Sequence, residues 1–295
     1  MRRMSLLIVL AAVTLVPSAW AGEPLFLWQV AGEHATVSLT GSIHVGRTDF
    51  FPLAEPLEQA FAASDALAVE VDVADPAVQQ AAAMLMLQKG MLPADETLQS
   101  RLGDAVWGRL QAFAESRGIP LAVYGRFRPG IVAMILLLEE YKRQGLDPEL
   151  GIDQHFLAEA KEAGKPVRQL ETIEAQLDLF VQVDDVLDDI MIGEMLDQMA
   201  DLAAETDRMI ALWRAGDADG LERMMAEQTG DDPAMLAFYR KLLDDRNAAM
   251  ADSVDAWLRG DRDVFVVVGA GHFGGENGLV RLLEGKGWAV EQVAR

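Results

Sequence analysis

The chain contains no cysteine among its 295 residues. A disulfide framework and a lipidated N-terminal cysteine are therefore both excluded. Positive charge is scarce as well: 25 Lys and Arg stand against 47 Asp and Glu, a formal net charge of −22. A surface of that sign repels nucleic acid and anionic membranes, so neither is expected as a partner. Long apolar runs are missing. The stretch Ile131 to Leu138 is apolar throughout but too short for a membrane span, and reads as a core helix segment. No Pro-, Gly- or Ser-rich linker and no repeat of fixed period divides the chain, which predicts one domain over residues 22–295. Histidine is rare too, with four in all.

What is present begins with an export signature. Arg2 and Arg3 precede an apolar core from Leu6 to Val16, and Ala19-Trp20-Ala21 forms an A-x-A cleavage site before Gly22. Residues 1–21 thus read as a secretory signal peptide, and the mature chain is expected in the periplasm or secreted, with no span left after cleavage. At its mature length the chain can bury a full core without covalent staples.

Local patterning predicts a mixed α/β fold. Strand signals fall at Phe26–Val30, Ala35–Thr40, Leu67–Val71, Leu121–Tyr124, Val167–Leu170, Val264–Val268 and Ala289–Val293, with a hairpin joining the first two. Helical periodicity covers Leu53–Ala63, the series Leu98, Leu102, Val106, Leu110 and Phe113, and nearly everything from Ile173 to Gly260. The expectation is a central mixed sheet built from both chain ends, flanked by helices, with a large helical middle portion. Met191, Met195 and Met199 share one helical face and read as core packing rather than a copper stripe. Asp184, Asp185, Asp188 and Asp189 read as a solvated helix face.

The closing stretch VVVGAGHFGG holds a G-x-G-x-x-G spacing at Gly269, Gly271 and Gly274, with Glu291 about where a ribose ligand would stand. A dinucleotide fold needs several further strands after that motif, and only Ala289–Val293 follows. The same stretch has a counterpart near the other end: LTGSIHVG, with Gly41, His44 and Gly46, matches GAGHFG, with Gly269, His272 and Gly274. Both place a histidine just past an apolar strand, where open α/β sheets carry their sites. Glu70 lies inside the apolar run LAVEVDV, where a carboxylate is costly unless paired or bound to a cation. Two imidazoles and a carboxylate form a recurring metal-binding set with room for water and substrate. Spacing alone leaves open the alternative of two ordinary loop histidines and a solvent-facing glutamate.

These motifs resemble the TraB/PrgY/GumN family, related to the Tiki metalloproteases and more distantly to erythromycin-esterase-like and ChaN-like proteins. The resemblance runs through GSIHVG, LAVEVD, GIDQHFLAEAKEAGKPVRQLET, DDRNAAMADSV and the closing GAGHFGGENGLVRLLEGKGWAVEQV. It implies a two-histidine, one-glutamate site at His44, Glu70 and His272 holding a divalent transition metal, manganese or cobalt foremost, with zinc also fitting the donors. The implied chemistry is metal-dependent hydrolysis of a peptide or other acyl substrate, with Glu70 a ligand or the general base. Arg47 is a candidate for holding a substrate carboxylate or an oxyanion, with a surface arginine as the plain alternative. Glu171 ends a strand and is a candidate neighbour of the site, and Arg246 and Asn247 match the family's Arg-Asn pair on a helix. His34 and His155 read as structural or exposed. The competing readings are a non-catalytic cell-envelope accessory or ligand-binding protein, and a haem binder, which no Tyr or Cys near the motifs assists. Oligomeric state has no signal in the sequence.

Overall fold

The computed structural model describes residues 22–181 and 185–295, so the expected signal peptide and Asp184 lie outside the described residues. The chain order is β1 (Pro24–Ala31), β2 (Thr36–Ser42), α1 (Glu55–Ala63), β3 (Ala66–Val69), α2 (Pro76–Lys89), α3 (Asp104–Arg117), α4 (Pro129–Arg143), α5 (Ile152–Ala163) and β4 (Val167–Gln169). It continues with α6 (Ile173–Val181), α7 (Asp185–Gln198), α8 (Leu202–Arg214), α9 (Ala218–Thr229), α10 (Pro233–Tyr239), α11 (Asp245–Leu258), β5 (Val264–Gly269), α12 (Leu279–Gly285) and β6 (Val290–Ala294). The sheet order is β4-β3-β5-β2-β1-β6. Both chain ends feed it, and the middle of the chain is helical, so the fold is the mixed α/β arrangement that the patterning predicts.

Strand β5 lies between β3 and β2 and is buried along its whole length, as its unbroken apolar run VFVVVG requires. Strands β2, β5, β3 and β4 run parallel, with Ser42 paired to Gly269 and Val69 to both Val267 and Gln169. Their C-terminal ends consequently open on one edge of the sheet. The hairpin strand β1 and the final strand β6 complete the other side with antiparallel pairs. One face of the sheet is covered through Phe61, Phe156 and Phe265, whose ring centroids lie 4.7–5.8 Å apart. The other face packs Phe26, Trp28, Trp213 and Phe273 together. Replacing a fully buried ring such as Phe265 by alanine would cost about 3–5 kcal/mol.

A separate apolar cluster builds the helical middle from Leu98, Leu102, Leu110, Val132, Leu136, Ile192, Met195 and Met199. Met191 is buried as well, in a neighbouring cluster with Met235 and Phe238. The methionine face is core, as expected. Ile131, Val132, Ala133 and Leu136 are buried within α4, and no helix among the described residues is long and apolar enough to cross a membrane.

Three local expectations are corrected. Leu121–Tyr124 is a 3-10 turn, not a strand: Pro120 starts it, Gly125 ends it, and Val123 stays 59 % exposed with no strand to pair. The series Leu98 to Phe113 does not lie on one helix, because the chain breaks at Gly103 before α3, although its members still pack in one cluster. Asp188 is not solvated. It is buried, and Arg101 reaches it with a 2.6 Å hydrogen bond; Asp189 accepts the N–H of Gly103 at 2.8 Å. A carboxylate inside a helical layer persists only when so paired.

Candidate functional site

Four parallel strands end along one edge, and each is followed by a chemically active side chain. His44 comes two residues after β2, Glu70 directly after β3, Glu171 two residues after β4, and His272 three residues after β5. The backbone past β3 and β4 remains paired, with Leu170 N–H donating to Val69 O and Glu171 N–H to Glu70 O, both at 2.9 Å. That extension places the two carboxylates side by side. After Gly269 the chain turns into a single 3-10 turn over Ala270–His272, and α12 begins only at Leu279. The glycine spacing is therefore not the strand-turn-helix of a dinucleotide loop.

Glu70 is the centre of the cluster. His44 Nε2 lies 3.8 Å and His272 Nε2 3.7 Å from its Oε1. The N–H of Gly269 donates to the same oxygen at 2.6 Å. Its other oxygen accepts from Gln176 Nε2 at 2.9 Å and from Arg246 Nη2. Arg246 also donates through Nε and Nη2 to the two oxygens of Glu171, both at 2.7 Å, and through Nη1 to Leu242 O at 2.7 Å. Every nitrogen of that guanidinium is thus engaged inside the protein. Burial pushes the Glu70 carboxyl up, but His272, His44, Arg246 and the Gly269 N–H together pull it down to about 2. At neutral pH it is ionised.

The two histidines differ in what backs them. His44 Nδ1 stands 3.3 Å from Asp153 Oδ1, and Asp153 is itself fixed by Ser42, whose hydroxyl donates to Oδ1 at 2.7 Å. The His44 ring keeps 57 % of its side-chain surface open to solvent. Burial works against its charged form, but Asp153 and Glu70 outweigh it and raise it to about 9, with solvent screening part of that pull. His272 is buried, and its Nδ1 meets Asn247 Oδ1 at 2.6 Å. Burial, helped by Arg246 and opposed by Glu70, takes it down to about 4. At neutral pH His272 is uncharged, so His44 and Arg246 carry the positive charge that faces Glu70.

Gly269 matters for a spatial reason. A Cβ there would lie 3.1 Å from His44 Nε2, 3.3 Å from Glu70 Oε1 and 3.5 Å from His272 Cδ2. The missing side chain leaves space beside all three side chains. Donors that share one ion at about 2.0–2.3 Å lie roughly 3–4 Å apart, and both histidine-to-carboxylate separations fall in that interval. With both imidazoles neutral, Glu70, Glu171 and Asp153 against Arg246 leave a charge matching one divalent cation. The donor chemistry therefore fits such an ion. Still, among the described residues no group of three His, Cys, Asp or Glu side chains forms a ready-made ion site, and Glu70 is instead committed to Gly269, Gln176 and Arg246.

The sequence candidates are thus distributed as follows. His44, Glu70, His272, Glu171, Arg246 and Asn247 meet in one connected cluster. Arg47 is not among the residues contacting Glu70; its guanidinium pairs with Asp207 at 3.1 Å and Asp49 at 3.4 Å. His34 is exposed at the hairpin, and His155 on α5 bonds Glu58 of α1 at 2.9 Å. Sequence reasoning overlooked Asp153, Ser42, Gln176 and Asn277. Two of these had a readable signal: Ser42 sits inside the first G-x-x-H unit, and Asp153 inside the GIDQHF stretch.

The profile of the TraB/PrgY/gumN family matches residues 26–292. The chain is also similar to the uncharacterized protein YbaP of Escherichia coli strain K12 and to its Shigella flexneri counterpart. Each is 29 % identical over 249 residues, covering 83 % of this chain and 86 % of the relative. No solved structure matches the chain closely enough to count as a relative.

Proposed function

The chain belongs to the TraB/PrgY/gumN family, and from that premise we propose that it is an exported, metal-dependent hydrolase of peptide or other acyl bonds, with His44, Glu70 and His272 holding the ion. The observation that carries this reading is two imidazole nitrogens 3.7–3.8 Å from one carboxylate oxygen, beside a glycine where a side chain would crowd all three residues. A divalent ion bound there, with manganese or cobalt foremost, would polarise a substrate carbonyl and lower the pKa of water. The protein's own groups supply the rest. Asp153 and Asn247 orient the two rings through their Nδ1 atoms, as partners of metal-binding histidines do. Arg246 and Gln176 hold Glu70 ionised and fixed, which suits a ligand better than a general base, whose pKa should lie near the working pH. Arg246, bonded to both Glu70 and Glu171 and to Leu242 O, serves to support the two carboxylates. The exposed face of His44 marks the side from which substrate would approach.

A second reading is a non-catalytic cell-envelope protein that keeps the fold and binds a ligand. It is favoured by the full engagement of Glu70, which already has protein partners on both oxygens. The deciding experiment is elemental analysis of protein purified without chelator, followed by cleavage of a peptide library with and without added manganese. Near-stoichiometric metal and manganese-dependent cleavage support the hydrolase. Metal-free protein that stays inert after reloading would leave the second reading.

A further inference from the structure

We infer that Asn247 is a positioning residue that fixes the tautomer of His272, leaving Nε2, 3.7 Å from Glu70 Oε1, without a hydrogen. The argument starts from a carbonyl. Asn247 Nδ2 donates to the backbone O of Asn277 at 2.8 Å, and a carbonyl oxygen can only accept. Turning the Asn247 amide over would set oxygen against oxygen in a side chain that is only 2 % exposed. The amide therefore has one orientation, and its Oδ1 must face His272 Nδ1, 2.6 Å away. Two acceptors cannot share that distance, so the ring hydrogen sits on Nδ1. A neutral imidazole has a single N–H, and Nε2, 3.7 Å from Glu70 Oε1, is then left without one.

Neighbouring structure holds the pair rigid. Asn277 is itself tied through its side chain to Asp244 Oδ2 at 2.9 Å. Asp244 closes a π-helical turn over Arg240–Asp244, directly before α11. Such a widened turn rotates the residues that follow it relative to a regular helix. Here the next residues are Arg246, turned to Glu70 and Glu171, and Asn247, turned to His272. One helix start thus sets the orientation of two of the three donors. His44 reaches the same cluster differently, with the carboxylate of Asp153 at its Nδ1.

The consequence for ion binding rests on the hydrolase reading above, whereas the tautomer does not, and the test separates the two. Two-bond proton–nitrogen NMR of the metal-free, uniformly labelled mature protein reports which ring nitrogen of His272 carries the hydrogen. The wild type should show Nδ1–H. Asn247→Leu should shift the ring toward Nε2–H and weaken manganese binding, followed by calorimetry, by about 10–100-fold. Asn247→Asp, which keeps an acceptor toward the ring, should restore the Nδ1–H signature. The wild-type spectrum needs no variant to fold, so Nε2–H there overturns the inference outright. Nδ1–H persisting in a folded Asn247→Leu protein also overturns it. A wild type with Nδ1–H that binds no manganese supports the inference about Asn247 and defeats the metal reading instead.

Discussion

The two G-x-x-H units are near copies in sequence and opposites in setting. Gly41–His44 follows β2 near the start of the chain, and Gly269–His272 follows β5 near its end; the strands pair in parallel so that both histidines face one carboxylate. Yet His44 is 57 % exposed and backed by an aspartate, while His272 is buried and backed by a neutral amide. The motif delivers a ring to the edge of the sheet. What the ring then does is set by helices α5 and α11, which the motif does not contain.

The comparison can be broken most forcefully at the residue both arms share. Glu70→Ala removes the common oxygen and strips Arg246 of one of its two carboxylates, so metal retention should vanish and stability should fall by about 3 kcal/mol. Elemental analysis with thermal unfolding checks both. Next come the arms themselves. His272→Ala leaves a buried hole and an unpartnered Asn247 Oδ1, and should cost about 2–4 kcal/mol besides metal. His44→Ala should lose metal just as fully but at a smaller cost in Tm, because the more exposed ring leaves no buried hole. Equal destabilisation by the two would erase the distinction drawn here.

Smaller effects sharpen it. Gly269→Ala adds one methyl group 3.1 Å from His44 Nε2, 3.3 Å from Glu70 Oε1 and 3.5 Å from the His272 ring carbon Cδ2, and deletes none of the three side chains. It should lower manganese affinity while leaving the Asn247–His272 bond in place, a pairing that calorimetry and NMR resolve together. Asp153→Asn should reduce affinity by roughly 10-fold through His44 alone. The mildest test changes no atom. In metal-free protein, proton NMR should find His44 protonated until about pH 9 and His272 neutral down to about pH 4. The linkage follows opposite signs: His44 contributes stability below its ordinary value of 6.5 that is lost as pH rises toward 9, and His272 contributes stability above 6.5 that is lost as pH falls toward 4.

The centre of the sheet was legible because β3 and β5 are unbroken apolar runs, and β5, buried along its whole length, is the plainer of the two. Leu121–Tyr124 looked similar but had no neighbouring strand to complete it. Within the cluster, His44, Glu70 and His272 stand out because a polar side chain at the end of an apolar run has few structural reasons to be there. Asp153 and Gln176 lie on amphipathic helices, where a polar residue is ordinary and its partner 100 or more positions away is invisible. The burial of His272 was hidden for the same reason, since the cover comes from α11 and not from its own loop.

The parallel pairing of β2 with β5 also orders events in time. Glu70 and the Gly269 N–H that holds it are 199 residues apart, and β5 is the second-to-last strand in the sheet's chain order. A chain still emerging from the ribosome carries His44 and Glu70 but neither Gly269 nor His272. No nascent chain that stops short of residue 272 can own the complete cluster, so the site closes only after β5 has been made.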